Sequence, residues 1–373
     1  MPDVIIAGAG PVGLLLGCLL AGRGVDVRIL EKRRGADERS RAIGIHPPGV
    51  TALDDAGVGA AVRAEAVALD RGEVHARGRL LAAVPFGEAR PVLTLAQHRT
   101  DALLRARLQE LGGAIDEGTA VVGFRDEGPR VLVRTTGGDL STPFLVVADG
   151  VRSRLRRAAG IGWIARGRAK RYAMIDIPDP DGDDPVARIH CEPGGMMESF
   201  PLPSGGRRWV IRRTDCGDAV TPDGFAAAVE ARTGIGIRIP EGLAPTTFVA
   251  AQHRADPPAR GRVALLGDAA HEISPIGGQG MNLGWTDAVM LAPLLIEGLR
   301  SVGGRPGRTA DLRRYAQRTS AHAAAAQRRS AFYMAMGAPA SQPVQLLRES
   351  AIRMLGSASL RERSAALVTM ARL

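Results

Sequence analysis

Val4-Ile5-Ile6-Ala7-Gly8-Ala9-Gly10-Pro11-Val12-Gly13 is followed by a second apolar run, Val25-Asp26-Val27-Arg28-Ile29-Leu30, which ends in Glu31. An apolar strand enters three glycines, and Leu14 to Leu20 continue as an apolar helix. Gly8 permits a tight turn, Gly10 lets the backbone approach a pyrophosphate, and Gly13 lets helix and strand pack closely. The helix start would offer Pro11, Val12 and Gly13 to the phosphates, with free N–H groups and the positive dipole end. Glu31 lies 18 residues after Gly13, where an acid can bind a ribose hydroxyl pair and repel a 2′-phosphate. The site therefore suits an unphosphorylated adenosine, that of FAD or NAD, over NADP.

A second motif selects the flavin. Val263-Ala264-Leu265-Leu266-Gly267-Asp268-Ala269-Ala270-His271 leads into Pro275-Ile276-Gly277-Gly278-Gln279-Gly280-Met281-Asn282. Residues 263–267 predict a short buried strand with Asp268 at its C-terminal end, where open α/β sheets present ligand-binding groups. The loop then aims backbone N–H groups and the start of a helix, about Met281 to Leu299, at one point. That arrangement suits the negative charge of a reduced flavin ring. A third element, Phe144-Leu145-Val146-Val147-Ala148-Asp149-Gly150-Val151-Arg152-Ser153-Arg154-Leu155-Arg156-Arg157, is a strand, a turn and a basic helix start. By itself it could equally be an ordinary connection with an exposed arginine cluster.

Together these elements resemble the class A flavoprotein monooxygenases, the family typified by para-hydroxybenzoate hydroxylase. Gly8 to Gly13 match its dinucleotide motif, and Asp149, Gly150, Ser153 and Arg156 match its D-G-x-x-S-x-x-R motif. Gly267, Asp268, Pro275 and Gly277 to Asn282 match its second FAD motif. Arg41, in Ser40-Arg41-Ala42-Ile43-Gly44-Ile45-His46, and Gln97, before the helix of Asp101 to Leu104, are lesser matches. The resemblance covers roughly residues 3 to 335. It implies an α/β fold: an FAD-binding Rossmann-like domain of the glutathione-reductase type, with an inserted β-sheet substrate domain and C-terminal helices. The expected boundaries are 1–168 and 251–335 for the FAD domain, 169–250 for the sheet and 336–373 for the helices. The cofactor-binding set is Gly8, Gly10, Pro11, Val12, Gly13, Glu31, Arg41, Gln97, Val121, Asp149, Asp268, Gly278, Gly280, Met281 and Asn282, around non-covalent FAD.

With no second G-x-G-x-x-G, NADH or NADPH would bind transiently on the same surface, with Arg152 and Arg156 as its candidate partners. The family chemistry is hydroxylation of an aromatic or phenolic small molecule, polyketide types included, by O₂ through a flavin C4a-hydroperoxide. The Trp-x-Trp motif of flavin halogenases is absent, since the tryptophans are Trp163, Trp209 and Trp285. At this length a thioredoxin-like extension is not expected. An FAD-dependent reductase or dehydrogenase of an unsaturated lipid, and a non-catalytic flavin-binding protein, remain as alternatives.

Composition narrows the classes further. The 373 residues are ample for a buried core and carry a net charge of +10. Of the 49 basic residues only Lys32 and Lys170 are lysine, and aromatics make up 3%. Charge spread so evenly, without aromatics for stacking, argues against nucleic acid, though it favours anionic ligands such as NAD(P)H. Cys18, Cys191 and Cys216 show neither metal spacing nor an even disulfide set, which implies a reducing compartment and no metal. Met1 leads straight into a strand and no apolar run reaches a membrane span, so a cytoplasmic monomer or homodimer is expected.

The pattern between 170 and 250 changes to short β-like runs, Tyr172–Ile177, Val186–Cys191, Met196–Pro201 and Arg208–Arg213, separated by Pro and Gly turns. In the family such a sheet roofs the substrate pocket. Pocket candidates are His46, Tyr172, His190, Phe200, Arg212 and Pro275, with His46 and His271 equally readable as structural histidines. Catalytic side chains are not assigned, since the sequence offers neither a Ser/His/Asp set nor a metal constellation. Residues 309–335 and 343–373 predict helices. The stretch from Gln345 to Leu373 reads as either a cover on the domain or an interfacial helix.

Overall fold

A computed structural model describes residues 1–35, 42–87, 91–179, 184–213, 220–302 and 312–370. Val4–Ala7 lies at the centre of a six-stranded sheet, parallel to Val27–Glu31 on one side and to Phe144–Val147 on the other. Ala114–Glu117 extends the sheet in parallel beyond Val27–Glu31, and Val263–Leu265 does so beyond Phe144–Val147. Ala259–Arg260 closes that edge antiparallel. Strands covered on both faces read as unbroken apolar runs, which is why these segments lack alternation.

The two faces are covered differently. Val4, Ile6, Ile29, Phe144 and Val146 pack under the helices Pro11–Ala21, Gln97–Glu110 and Gln279–Val302. Ile5, Ala7, Leu145 and Val147 instead meet Val131 and Val133 of a three-stranded antiparallel sheet formed by Val121–Asp126, Val131–Thr135 and Gly138–Thr142. The molecule is thus α/β, with a helical layer, a parallel sheet and a small antiparallel sheet. Gly8, Glu31, Asp149 and Asp268 all follow the C-terminal ends of parallel strands, the edge where such sheets bind ligands.

The second sheet is larger than the run from 169 to 250 predicts. Its seven strands are ordered Thr246–Ala250, Lys170–Pro178, Gly206–Arg212, Gly195–Leu202, Val186–Glu192, Arg71–Ala76 and Arg79–Pro85. The last two form a hairpin whose turn residues, Arg77 (φ 51°) and Gly78 (φ 70°), both have positive φ, as a two-residue hairpin turn of the favoured hand requires. Arg71–Ala76 pairs in parallel with Val186–Glu192 and so covers what would otherwise be an open edge. The sheet therefore draws on residues before 169 as well.

Side chains alternate between its faces. Ala173, Ile175, Ile177, Met197, Trp209 and Ile211 pack under the helix Pro222–Thr233. Tyr172, Met196 and Val210 face the other way and cluster with Ile276 of the glycine-rich loop. That contact sets the sheet over the candidate flavin site.

The C-terminal segments are helical at Leu312–Met336, Gln342–Leu355 and Arg361–Val368. Arg348 ties the second of these to the body by donating to the carbonyls of Met336, Ala338, Cys191 and Glu192. The helix is a cover, although Val344, Leu346, Leu347 and Met354 on its outer side stay exposed. Among the described residues no helix is long and apolar enough to cross a membrane, and no His/Cys/Asp/Glu group could hold a metal ion.

Candidate active site

The three glycines of the first motif have separable roles. Gly8 has φ +118°, and a Cβ on it would stand 2.3 Å from the Ala148 carbonyl oxygen. A Cβ on Gly13 would stand 2.2 Å from the Gly8 oxygen. Both are demanded by the protein's own packing. A Cβ on Gly10 would meet nothing within 4 Å. Gly10 precedes a helix that has no side-chain cap and begins with Pro11, so its open space is a cradle at the positive end of that helix. The close approach of a ligand would account for a glycine there.

Glu31 is buried at the edge of this cradle. Its carboxylate accepts from the backbone N–H groups of Ala9 and Arg33, both at 2.9 Å, and from Arg33 Nε at 3.0 Å. Burial pushes its pKa up, but the Arg33 side chain and these two N–H groups outweigh that and leave it below the usual carboxylate value. Glu31 is therefore a fixed anion beside Gly10, as a ribose-binding acid must be. Val121 is half-buried and begins the strand beyond Thr119, whose N–H donates to the Glu31 carbonyl. Gln97 opens its helix with its N–H on the Ala42 carbonyl. Arg41 and Cys216 lie outside the described residues.

The Asp149-Gly150 turn divides its two arginines. Asp149 Oδ2 accepts from Arg154 N–H, while its Oδ1 is buried without a hydrogen-bond partner, an acceptor turned toward the sheet's ligand edge. Ser153 caps the short helix by accepting from Arg156 N–H at 2.9 Å. Arg156 is not the surface cation the motif predicts. It is 4% exposed, donates to the carbonyls of Ala269 (3.0 Å) and Val151 (3.1 Å), and lies 3.5 Å from the Trp163 ring centroid. The physical reason is the helix register, which turns Arg156 inward with Leu155, whereas Arg152 lies exposed in the turn before the helix. Arg156 clips the turn that follows Asp149 to the turn carrying Asp268.

The two ends of the chain meet at Val12. Cβ atoms on Gly267 and Gly284 would stand 3.2 Å and 2.7 Å from Val12 Cγ2, and Trp285 Nε1 donates to the Pro11 carbonyl at 3.1 Å. This contact holds Asp268, exposed in the turn Gly267–Ala269, at the same ligand edge as Gly10. Beyond it, Gly278 N–H donates to the Pro275 carbonyl, and Gly277 takes φ +84° at the third turn position. Asn282, fully buried, fixes this turn by donating to the carbonyls of Gly278 (2.8 Å) and Gly44 (3.0 Å) and accepting from His46 N–H (2.9 Å). Met281 places its side chain in the core, leaving Gly280 and the backbone to line the loop.

His46 is part of the same bracket. Its Nε2 bonds the Gly277 carbonyl at 3.0 Å, and burial pushes its pKa down to about 4, so it is a neutral positioning group and not a substrate base. His271 is structural as well. It is fully buried and bonds Asp287 Oδ2 at 2.6 Å; burial lowers its pKa, but the Asp287 carboxylate more than restores it. Pro275 is exposed at the loop and contributes its carbonyl to the turn.

On the substrate sheet the register sorts the remaining candidates. Tyr172 is fully buried on the face that meets Ile276, stacks on Phe248 (ring centroids 5.4 Å apart), and its hydroxyl has no partner among the described residues. Burial pushes that hydroxyl up to about 12. Arg212 stands opposite Tyr172 and donates to the Met334 carbonyl at 2.8 Å. Phe200 shares the face but packs at its far end, with Leu69 and Val92. His190 does not belong to the pocket. It pairs with Met197, whose side chain points to the opposite face, and stacks on His75 at 5.2 Å.

Two residues of this face escape the motif reading. Tyr333 of the helix Leu312–Met336 lies against the loop, its ring 3.1 Å from where a Gly277 Cβ would be. Glu198 is buried between Val210 and Ile189 in register. The signal for Glu198 was present: in Met196-Met197-Glu198-Ser199-Phe200 an acid alternates with Met196 and Phe200 on one face.

The donors and the open cradle fit a dinucleotide flavin: Gly10 at a helix start, a fixed acid at 31, an unpartnered Asp149 oxygen, and a glycine turn facing an apolar sheet. Comparison with known proteins agrees. The FAD binding domain family matches residues 1–330. The 6-methylpretetramide 4-monooxygenase of Streptomyces rimosus is 32% identical over 319 residues, covering 80% of this chain and 56% of that protein. The chain thus spans little more than half the length of that relative, and 61% of the 12-dehydrotetracycline 5-monooxygenase/anhydrotetracycline 6-monooxygenase of the same species. Among solved structures, the p-nitrophenol 4-monooxygenase of Pseudomonas putida DLL-E4 shares the fold with a TM-score of 0.84 at 24% identity, covering 100% of this chain and 99% of that one. With the dinucleotide cradle, the Asp268 turn and the roofing sheet in one molecule, the chain belongs to the FAD binding domain family, among the flavoproteins that resemble para-hydroxybenzoate hydroxylase.

Proposed function

We propose that this protein is an FAD-dependent monooxygenase that consumes NADH or NADPH and O₂ to hydroxylate an uncharged aromatic ring system of phenolic or polyketide type. One observation carries the reading: an apolar sheet face, with the unpartnered Tyr172 hydroxyl in it, lies against the Pro275–Gly278 turn of the second flavin motif. The names of the relatives that act on tetracycline-type compounds support the substrate class.

Bound FAD would supply the redox chemistry, taking electrons from the nicotinamide and activating O₂. The chain's own residues do the rest. Gly10 and the helix start after it would receive the pyrophosphate, and Glu31 the ribose. Asp149 and Asp268 present acceptors at the same edge, while Asn282 and His46 hold the glycine turn in one shape. Tyr172, Met196, Val210 and Ile276 exclude water from the face where substrate would lie, which strengthens every polar contact made there. The Tyr172 hydroxyl would orient a ring oxygen by hydrogen bond without ionising. Arg152, exposed beside the Asp149 turn, is a cation for the anionic nicotinamide cofactor. Its use would be transient, since the described residues form one dinucleotide cradle.

The test is NAD(P)H oxidation by FAD-loaded protein across a panel of phenols, naphthols and anthraquinones, with mass detection of products. Stimulation by a subset of the panel with a product 16 mass units heavier is expected. Substrate-independent oxidation with unmodified panel compounds would overturn the reading.

A further inference from the structure

We infer that Glu198 is a specificity-determining contact of the substrate site, hydrogen-bonding together with Tyr172 to the oxygens of an uncharged hydroxylated ring system and disfavouring ring carboxylates. The inference rests on the monooxygenase reading for the location of the substrate but not for the chemistry.

The placement is set by register. Glu198 lies opposite Val210 on one side and Ile189 on the other. Val210 also faces Met174 in the next strand, and Tyr172 follows on that strand two residues away. Met197 points to the opposite face and packs under the helix Pro222–Thr233. Glu198 therefore shares the face of Met196, Val210 and Tyr172, the face that meets Ile276 of the flavin loop.

Nothing among the described residues donates to the Glu198 carboxyl, although it is 3% exposed. The neighbouring charges are engaged elsewhere. Arg208 holds Asp176 through both carboxylate oxygens, at 2.7 Å and 2.8 Å, and Arg212 donates to the Met334 carbonyl. Burial pushes Tyr172, Cys191 and Tyr333 around this face upward, so these three are neutral at pH 7, while the Arg329 cation stands beside Tyr333. Burial likewise pushes Glu198 up to about 8, with no opposing charge to lower it.

A carboxyl in that condition has no partner among the described residues to justify its burial, and buried groups of this kind mark candidate functional sites. Protonated, it both donates and accepts, as does the Tyr172 hydroxyl. The pair matches phenolic hydroxyls and ring carbonyls. A substrate carboxylate would bring into the same dry face a negative charge that a neutral Glu198 and Tyr172 cannot balance, which is costly.

The experiment uses FAD-loaded wild type, Glu198→Gln and Glu198→Ala. Binding of 1,7-dihydroxynaphthalene and of 3,5-dihydroxy-2-naphthoate, the same diol bearing a carboxylate, is titrated through the flavin difference spectrum at pH 7, and Tm and FAD content are measured in parallel. Wild type should bind the diol about tenfold or more tighter than the naphthoate, the equivalent of one good hydrogen bond or one uncompensated charge. Glu198→Gln should keep the diol within about threefold and retain that preference, since the amide, like the protonated carboxyl, is neutral and offers a donor and an acceptor. Glu198→Ala should weaken the diol by about tenfold. Glu198→Gln should not lower Tm, because the carboxyl it replaces satisfies nothing in the fold among the described residues. Equal diol affinity in all three proteins overturns the inference, as does a fall in Tm with Glu198→Gln. Wild type that binds the diol with this preference yet never couples NAD(P)H oxidation to any hydroxylated product would refute the oxygenase reading and leave the role of Glu198 standing.

Discussion

The glycines of the first motif allow fold and cofactor binding to be separated by single methyl groups. Gly10 sits at φ −81°, ψ 176°, a conformation alanine adopts without strain, and a Cβ there meets nothing within 4 Å. In the flavin-free protein, Gly10→Ala should therefore be neutral or stabilise by about 0.4–1 kcal/mol through the unfolded chain. With FAD bound, the same methyl would stand where the pyrophosphate approaches. Over-packing of that kind costs about 1–3 kcal/mol, which is roughly 5- to 150-fold in Kd. Gly8→Ala behaves oppositely: φ +118° and a Cβ 2.3 Å from the Ala148 oxygen damage the fold before any ligand arrives. The backbone strain alone is worth about 1–3 kcal/mol. Both variants and wild type would be stripped of FAD, melted, and titrated with FAD by flavin fluorescence. Gly10→Ala should melt like wild type and bind FAD weakly, whereas Gly8→Ala should melt early. Wild-type FAD affinity in Gly10→Ala, or a melting point as low as that of Gly8→Ala, would refute the assignment of Gly10 to the ligand.

Asn282→Ala removes three buried hydrogen bonds, so urea unfolding should show a loss of about 2–5 kcal/mol together with reduced FAD occupancy. Arg156→Ala should lower Tm because it unclips the Ala269 and Val151 carbonyls, whereas Arg152→Ala should leave Tm unchanged and raise KM for NAD(P)H; the reverse pattern would return Arg156 to the nicotinamide. The folded pKa of Glu31 lies below its unfolded value, so its contribution to stability is present above the usual carboxylate range and is lost as pH falls through the folded value. Melting against pH from neutral downward should show that acid loss in wild type and a flatter dependence in Glu31→Gln.

The parallel sheet was legible because its strands are buried on both faces, so Val4–Ala7 and Phe144–Val147 carry apolar side chains at every position. The cofactor edge was legible because glycine and acid spacing there answers to a ligand. What could not be read was long-range adjacency. No local signal tells that Arg71–Pro85 will pair beside Val186–Glu192 more than a hundred residues later, so the second sheet was drawn too small. His190 was misplaced for a related reason, since its face depends on a register set by the neighbouring strands. Arg156 looked like a surface cation because a basic helix start does not show which arginine turns inward. Glu198 is masked in the sequence by its methionine neighbours, and only the register opposite Val210 places its side chain on the otherwise apolar face.

Incubation of FAD-loaded protein with NADPH or NADH, a phenolic substrate selected from the panel and ¹⁸O₂ measures the central claim directly. The account predicts one ¹⁸O atom in the product for each nicotinamide consumed, together with slow nicotinamide oxidation when substrate is left out. A protein that holds FAD but yields only hydrogen peroxide, or a desaturated product without label, would contradict it.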